Sequence, residues 1–90
     1  MNWTVKFSSK AESYWKRIDP KRKERIKKEL KLLLVLDYPQ SHQHVLPLTG
    51  ELTGFYRLRV GGYRMVFAII TESQVIAVVN IAPRGDVYKK

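Results

Sequence analysis

The sequence predicts an α+β fold in which two N-terminal helices pack on one face of a small, mainly antiparallel four-stranded sheet, in the order β-α-α-β-β-β. Three observations carry this. Period-2 alternation at the N-terminus gives way to helical spacing up to residue 37 and returns to strand spacing from residue 55. Gly61-Gly62 sits between two β-rich runs, the signal of a two-residue hairpin turn. Helices grouped ahead of a meander, rather than alternating with strands, cover one face of a sheet and leave the other open.

In Asn2-Trp3-Thr4-Val5-Lys6-Phe7, the side chains of Trp3, Val5 and Phe7 share one side, so residues 2–7 form the first strand. Ser9 followed three residues later by Glu12 has capping-box spacing, and Ala11, Tyr14, Trp15 and Ile18 then recur at helical intervals. A short helix from 10 to 18 results. Asp19 is a favoured N-cap and Pro20 a favoured first helical residue, which starts a second helix over 20–37. Its apolar stripe is Ile26, Leu30, Leu33 and Leu34, and Lys21, Arg22, Lys23, Arg25, Lys27, Lys28 and Lys31 fill the remainder. Tyr38–Gly54, carrying Pro39, Pro47, Gly50 and Gly54, follows neither period and reads as a long connection. Strands follow at Phe55–Val60, Tyr63–Ile70 and Gln74–Ala82, with Thr71-Glu72-Ser73 as the second turn. Pro83-Arg84-Gly85 ends the last strand before a short tail, Asp86–Lys90.

Composition bounds the function. Ninety residues make one domain, 1–90, and with 44% hydrophobic and 11% aromatic residues there is enough to bury a core. Zero cysteines exclude disulfide scaffolds and thiolate zinc sites. The apolar runs, Leu32–Leu36 and Met65–Ile70 among them, are far short of the roughly 20 residues of a membrane span. The N-terminus lacks the charged and apolar regions of a signal peptide, so the expected compartment is the cytoplasm. Seventeen Lys+Arg against eight Asp+Glu give a formal charge of +9, an attraction for polyanions. Nucleic acid or an acidic protein is the expected partner, ahead of a membrane.

That charge is not evenly informative. Along the first hairpin arm, Tyr56, Leu58 and Val60 alternate with Arg57 and Arg59, sending the arginines to the open face. A two-residue turn sets Val60 opposite Tyr63 and Arg59 opposite Arg64, and like charges so placed destabilise a sheet unless an anion relieves them. Arg84 follows the last strand, and Tyr88 lies four residues beyond. Guanidinium groups grip phosphate and an aromatic ring stacks on an unpaired base, the usual means of holding single-stranded nucleic acid. Taken singly, each arginine also fits a solvated face or a protected sheet edge. The basic helix, through Lys21, Arg22, Arg25 and Lys28, offers an electrostatic contact to RNA or simply a solvated surface. His42 and His44 have the spacing of an acid/base or zinc pair, but no cysteine completes a site, and they read as solvated loop residues. Trp3, Tyr14, Trp15 and Phe67 are expected in the core.

The segments Leu48-Thr49-Gly50, Gly54-Phe55-Tyr56-Arg57-Leu58-Arg59-Val60-Gly61-Gly62-Tyr63-Arg64-Met65-Val66-Phe67 and Pro83-Arg84-Gly85-Asp86-Val87-Tyr88 resemble the RelE/ParE superfamily of bacterial and archaeal toxins. The resemblance implies a type II toxin–antitoxin module. RelE-like members enter the ribosomal A site, built of 16S rRNA, and cut mRNA without a cofactor or metal, the ribose 2′-OH attacking the adjacent phosphate. By the same resemblance, Arg57 and Arg59 match the family's basic pair. Arg64 would stabilise the phosphorane, Arg84 assist the leaving 5′-oxygen, and Tyr88 stack on or orient the nucleotide. The implied partner is an acidic RelB-like antitoxin, in a heterodimer or heterotetramer. Some RelE members carry lysines where this chain has arginines, and a guanidinium, which keeps its proton at neutral pH, is a poor base there. The acceptor of the 2′-OH proton therefore stays open between Arg59 acting by polarisation, Tyr88 and the ribosome. The alternatives are a ParE-like inhibitor of DNA gyrase and a non-catalytic RNA-binding member of the same superfamily.

Overall fold

The computed structural model describes residues 3–83. Strand β1 (Thr4–Phe7) leads into helices α1 (Ser9–Arg17) and α2 (Pro20–Leu34). Strand β2 (Val45–Pro47) follows, and β3 (Tyr56–Val60), β4 (Tyr63–Ile70) and β5 (Val75–Pro83) complete the sheet, in the order β1-β5-β4-β3-β2.

The sheet corrects the sequence reading in two respects: it has five strands rather than four, and it is mixed. The connection over 38–54 contains β2, paired antiparallel with β3 through Val45↔Leu58, Leu46↔Arg57 and Pro47↔Tyr56. Three residues are too few for an alternating pattern to register, and only Val45 is buried. Pro47 is tolerated because β2 is an edge strand, where a missing N–H breaks no central ladder. At the opposite edge β1 runs parallel to β5, while the other three pairings are antiparallel. No tight turn joins β1 to β5, so the hairpin constraint that enforces antiparallel pairing is absent there.

The helix ends show how local chemistry overrode pattern. The cap of α1 is Ser8, not Ser9: its hydroxyl oxygen accepts from Ala11 N at 3.1 Å and donates to Val79 O at 3.0 Å. One hydroxyl thus starts the helix and ties it to β5. Asp19 caps α2 as expected, accepting from Arg22 N, with Pro20 in the first turn. That helix stops at Leu34, three residues short of the expected limit, and the Leu34 carbonyl accepts from Trp3 N at 2.8 Å.

The core lies between the helices and one sheet face. Ile26 and Leu33 from α2 meet Leu58, Met65, Phe67, Ile76, Val78 and Ile81 from β3, β4 and β5, all fully buried. Trp3 is buried among them, and Tyr14 and Trp15 pack half-buried against the same cluster. On the other face only a small group forms, Val66 and Ala82 with Leu48, Phe55 and Val79. The pairing of β4 with β5 shifts between Val66↔Asn80 and Phe67↔Val78, leaving Val79 as the extra residue of a bulge.

Candidate nucleic-acid interface

The hairpin register is the one the two-residue turn dictates: Val60↔Tyr63, Arg59↔Arg64, Leu58↔Met65 and Arg57↔Val66. Gly61 adopts φ +57°, while Gly62 has no positive φ, the pattern of a turn that needs glycine at its first central position. Leu58, Val60 and Met65 are buried against the helices, so the intervening Arg57, Arg59 and Arg64 point to the other face. The Arg59 amide donates to His44 O at 3.2 Å, away from β4. Arg59 and Arg64 therefore form the non-hydrogen-bonded kind of cross-strand pair, the one in which side chains sit closest.

The pairing of β2 extends this row by one residue. With Val45 opposite Leu58, the position opposite Arg59 on the far side is His44. A line across the open face therefore reads His44, Arg59, Arg64, Ala82, and the next line reads Leu46, Arg57, Val66, Asn80. Two clefts flank Arg59. One, of about 310 Å³, is lined by Arg25, Glu29, His44, Arg59, Val60 and Gly61. The other, of about 160 Å³, is lined by Gln43, His44, Leu46, Arg57 and Arg59. His44 and Arg59 form the wall between them.

The basic residues of α2 divide. Arg25 joins the arginine face: its guanidinium lies 3.4 Å from where a side chain on Gly61 would begin, over the hairpin turn. Arg22, exposed on α2, has its Nη1 3.4 Å from the carboxylate of its own N-cap, Asp19. Lys21 and Lys28 share a groove with Lys27 and Lys31 along the same helix. Lys23 lies 5.5 Å over the Trp15 ring and so belongs to the helix packing. Arg84 and Tyr88, expected beside this face, lie outside the described residues.

His42 departs from the expectation of a solvated loop residue, whereas His44, exposed in the turn before β2, meets it. The His42 side chain is only 8% exposed, with Nε2 at 3.3 Å from Glu29 Oε1. Its Nδ1 accepts from the His44 backbone amide at 3.0 Å, which places the ring proton on Nε2, toward the carboxylate. His44 itself is exposed, in the row just described. His42 directly follows the short turn at Pro39–Ser41, and its contact with Glu29 brings this part of the loop against α2. Among the described residues, no group of three or more His, Asp or Glu side chains is arranged to hold a metal ion.

Known proteins agree with this architecture. No curated protein matches the chain. The archaeal RelE–RelB complex from Pyrococcus horikoshii has a chain 25% identical, superposing with a TM-score of 0.75 over 96% of this chain and 99% of that one. A double Arg-to-Ala variant of the E. coli toxin RelE in its free state is 26% identical, with a TM-score of 0.73 over 98% and 88%. The RelBE2 toxin–antitoxin complex from Mycobacterium tuberculosis, at 24% identity and a TM-score of 0.68 over 93% and 100%, shares the fold. The model of the ParE toxin of type II toxin–antitoxin systems matches residues 5–88, and nearly the whole chain is thereby accounted for. With helices on one face, a hairpin of arginines on the other and that match along its length, the chain belongs to the ParE toxin family, within the RelE/ParE superfamily.

Proposed function

We propose that this toxin is a ribosome-dependent mRNA endoribonuclease acting in the A site, in the cytoplasm, by attack of a ribose 2′-OH on the adjacent phosphate. The observation that carries the reading is the direct opposition of Arg59 and Arg64 on the open sheet face, with Arg57 on the same face. Two guanidinium groups set opposite one another on one sheet face can close on a phosphodiester from two sides, each gripping it with paired N–H donors. Arg64 stabilises the phosphorane, Arg59 and Arg57 hold the flanking backbone, and Arg84 and Tyr88 serve the leaving oxygen and the base. A well-aimed donor of this kind is worth about 3–4 kcal/mol of transition-state stabilisation. Arg25, Lys21, Arg22 and Lys28 add non-specific attraction to the RNA. The proposed protein partner is an acidic antitoxin in a heterodimer or heterotetramer. It is supported by the likeness to the archaeal toxin solved with RelB.

The test is primer extension on mRNA from a translation reaction with and without the protein. Cuts in A-site codons, with 2′,3′-cyclic phosphate and 5′-OH ends and lost in Arg64→Ala, support the proposal. Intact mRNA under the wild type overturns it. A second reading, inhibition of DNA gyrase, is favoured by the ParE name of the matching family. Blocked supercoiling with unaltered mRNA would establish it.

A further inference from the structure

Resting on the nuclease reading above, we propose that His44 is the proton acceptor for the attacking 2′-OH, a role that the arginines beside it cannot fill. The row on the open face joins two kinds of chemistry. Arg57, Arg59 and Arg64 are guanidinium groups, charged throughout the neutral range and without an acceptor lone pair for a proton. His44 immediately precedes β2; continuing the β2–β3 register sets it opposite Arg59, whose amide donates to its carbonyl at 3.2 Å, and it lines both clefts that flank Arg59. A phosphate held by Arg59 is therefore within the space His44 faces from either side. Imidazole is the side chain whose ordinary titration range lies next to neutral pH, as a general base requires.

The other titratable groups nearby are committed. Glu29, from α2, faces His42 Nε2 at 3.3 Å. His42 uses its Nδ1 to accept the His44 backbone amide, so both of its ring nitrogens have partners. The ring of His44 makes no hydrogen bond among the described residues and lies 5.6 Å from the His42 ring, centroid to centroid. The Glu29–His42 pair thus fixes the backbone of His44 from behind and leaves its imidazole turned to the clefts. The charged groups facing it are Arg25 and Glu29 from α2 and Arg57 and Arg59 from β3.

The step balances as follows. The 2′-oxygen forms a bond to phosphorus while its proton passes to an imidazole nitrogen of His44. The bond from phosphorus to the 5′-oxygen breaks, and that oxygen takes up a proton from the imidazolium or from water. The products are a 2′,3′-cyclic phosphate and a 5′-OH, with no oxidant, reductant or other reactant consumed.

The experiment compares the single-turnover cleavage rate of ribosome-bound mRNA for the wild type, His44→Ala and His44→Gln, across pH 5.5–8.5 and with added imidazole. Because His44 is exposed in the turn that precedes the edge strand β2, both variants are expected to fold, which a thermal melt checks. Both should cut about 10²–10⁴-fold more slowly. The acidic limb of the pH–rate profile should disappear, and free imidazole should restore part of the rate in His44→Ala but not in His44→Gln. A wild type that cuts, with variants that cut at the same rate and with the same pH profile, overturns the role of His44 and leaves the nuclease reading standing. A slow variant with an unchanged pH profile and no rescue by imidazole also overturns it, since that pattern marks a structural residue. A wild type that leaves mRNA intact overturns both.

Discussion

Replacing Arg59 with glutamine should stabilise the free protein, and the gain should fade with salt. Arg59 is opposite Arg64 across the hairpin, shares the sheet face with Arg57 and shares a cleft with Arg25 and Glu29. Its surroundings are thus three cations and one anion, a net of two repulsions. Charges on neighbouring side chains of one sheet face project about 5–8 Å apart. At about 7 Å in a water-like dielectric each pair contributes about 0.6 kcal/mol, roughly halved by screening at 0.1 M salt. The sum is a gain of about 0.6 kcal/mol, or about 2–5 °C in melting temperature for a domain of this size. At 1 M salt, where the Debye length is about 3 Å, the shift should drop below about 1 °C. Arg59→Lys, which keeps the charge, should show little gain at either salt. The assay is a thermal melt of the three proteins at both salt concentrations. A glutamine variant that melts no higher than the wild type at 0.1 M salt would refute the repulsion. So would a gain that persists undiminished at 1 M, which would instead reflect packing.

Three further outcomes are expected. Phe67→Ala removes a fully buried ring stacked 5.9 Å from Tyr56 and should cost about 3–5 kcal/mol in denaturant unfolding. Ser8→Ala loses both the α1 cap and the bond to Val79 and should cost about 1–2 kcal/mol, whereas Ser9→Ala should be close to neutral in the same measurement. Lys21→Ala with Lys28→Ala should weaken binding of single-stranded RNA at low salt, with a log–log salt slope shallower by up to about 1.4. Filter binding checks this, and the rate of cleavage once RNA is bound should not change, because these lysines lie along α2 and outside the clefts around Arg59.

How much of the site the sequence reveals depends on how tightly local geometry constrains it. The opposition of Arg59 and Arg64 is legible because a two-residue turn permits only one register, and alternation then assigns every hairpin side chain to a face. The apolar stripe of α2 is legible for the same reason, its period being set by the helix. The place of His44 is not legible, because β2 has three residues and its register is fixed by pairing with β3 across the intervening loop. Nothing local distinguishes it from a loop. The difference between His42 and His44 is equally long-range: one is buried by Glu29 of α2, the other left on the open face. The cap of α1 moved by one residue because Ser8 satisfies the Val79 carbonyl as well as Ala11 N, a contact 71 positions apart in sequence.

These long-range placements bear on why the open face is built as it is. A face carrying only guanidinium groups holds phosphate at every physiological pH and stabilises negative charge wherever it develops, but it cannot exchange a proton. In the proposed cleavage, acceleration by charge stabilisation alone would depend on solvent to remove the 2′ proton. A single imidazole at the end of the arginine row supplies what the row lacks, and it need not be buried. Its backbone is held by His42, whose buried ring is in turn faced by Glu29. Rigidity thus comes from the α2 side and reactivity from the solvent side. The arrangement separates two demands that conflict in one residue: a buried base is costly to protonate, and an exposed one is poorly positioned. Placing the anchor at position 42 and the proton acceptor two residues later, at the edge of the sheet, satisfies both within a single turn of chain.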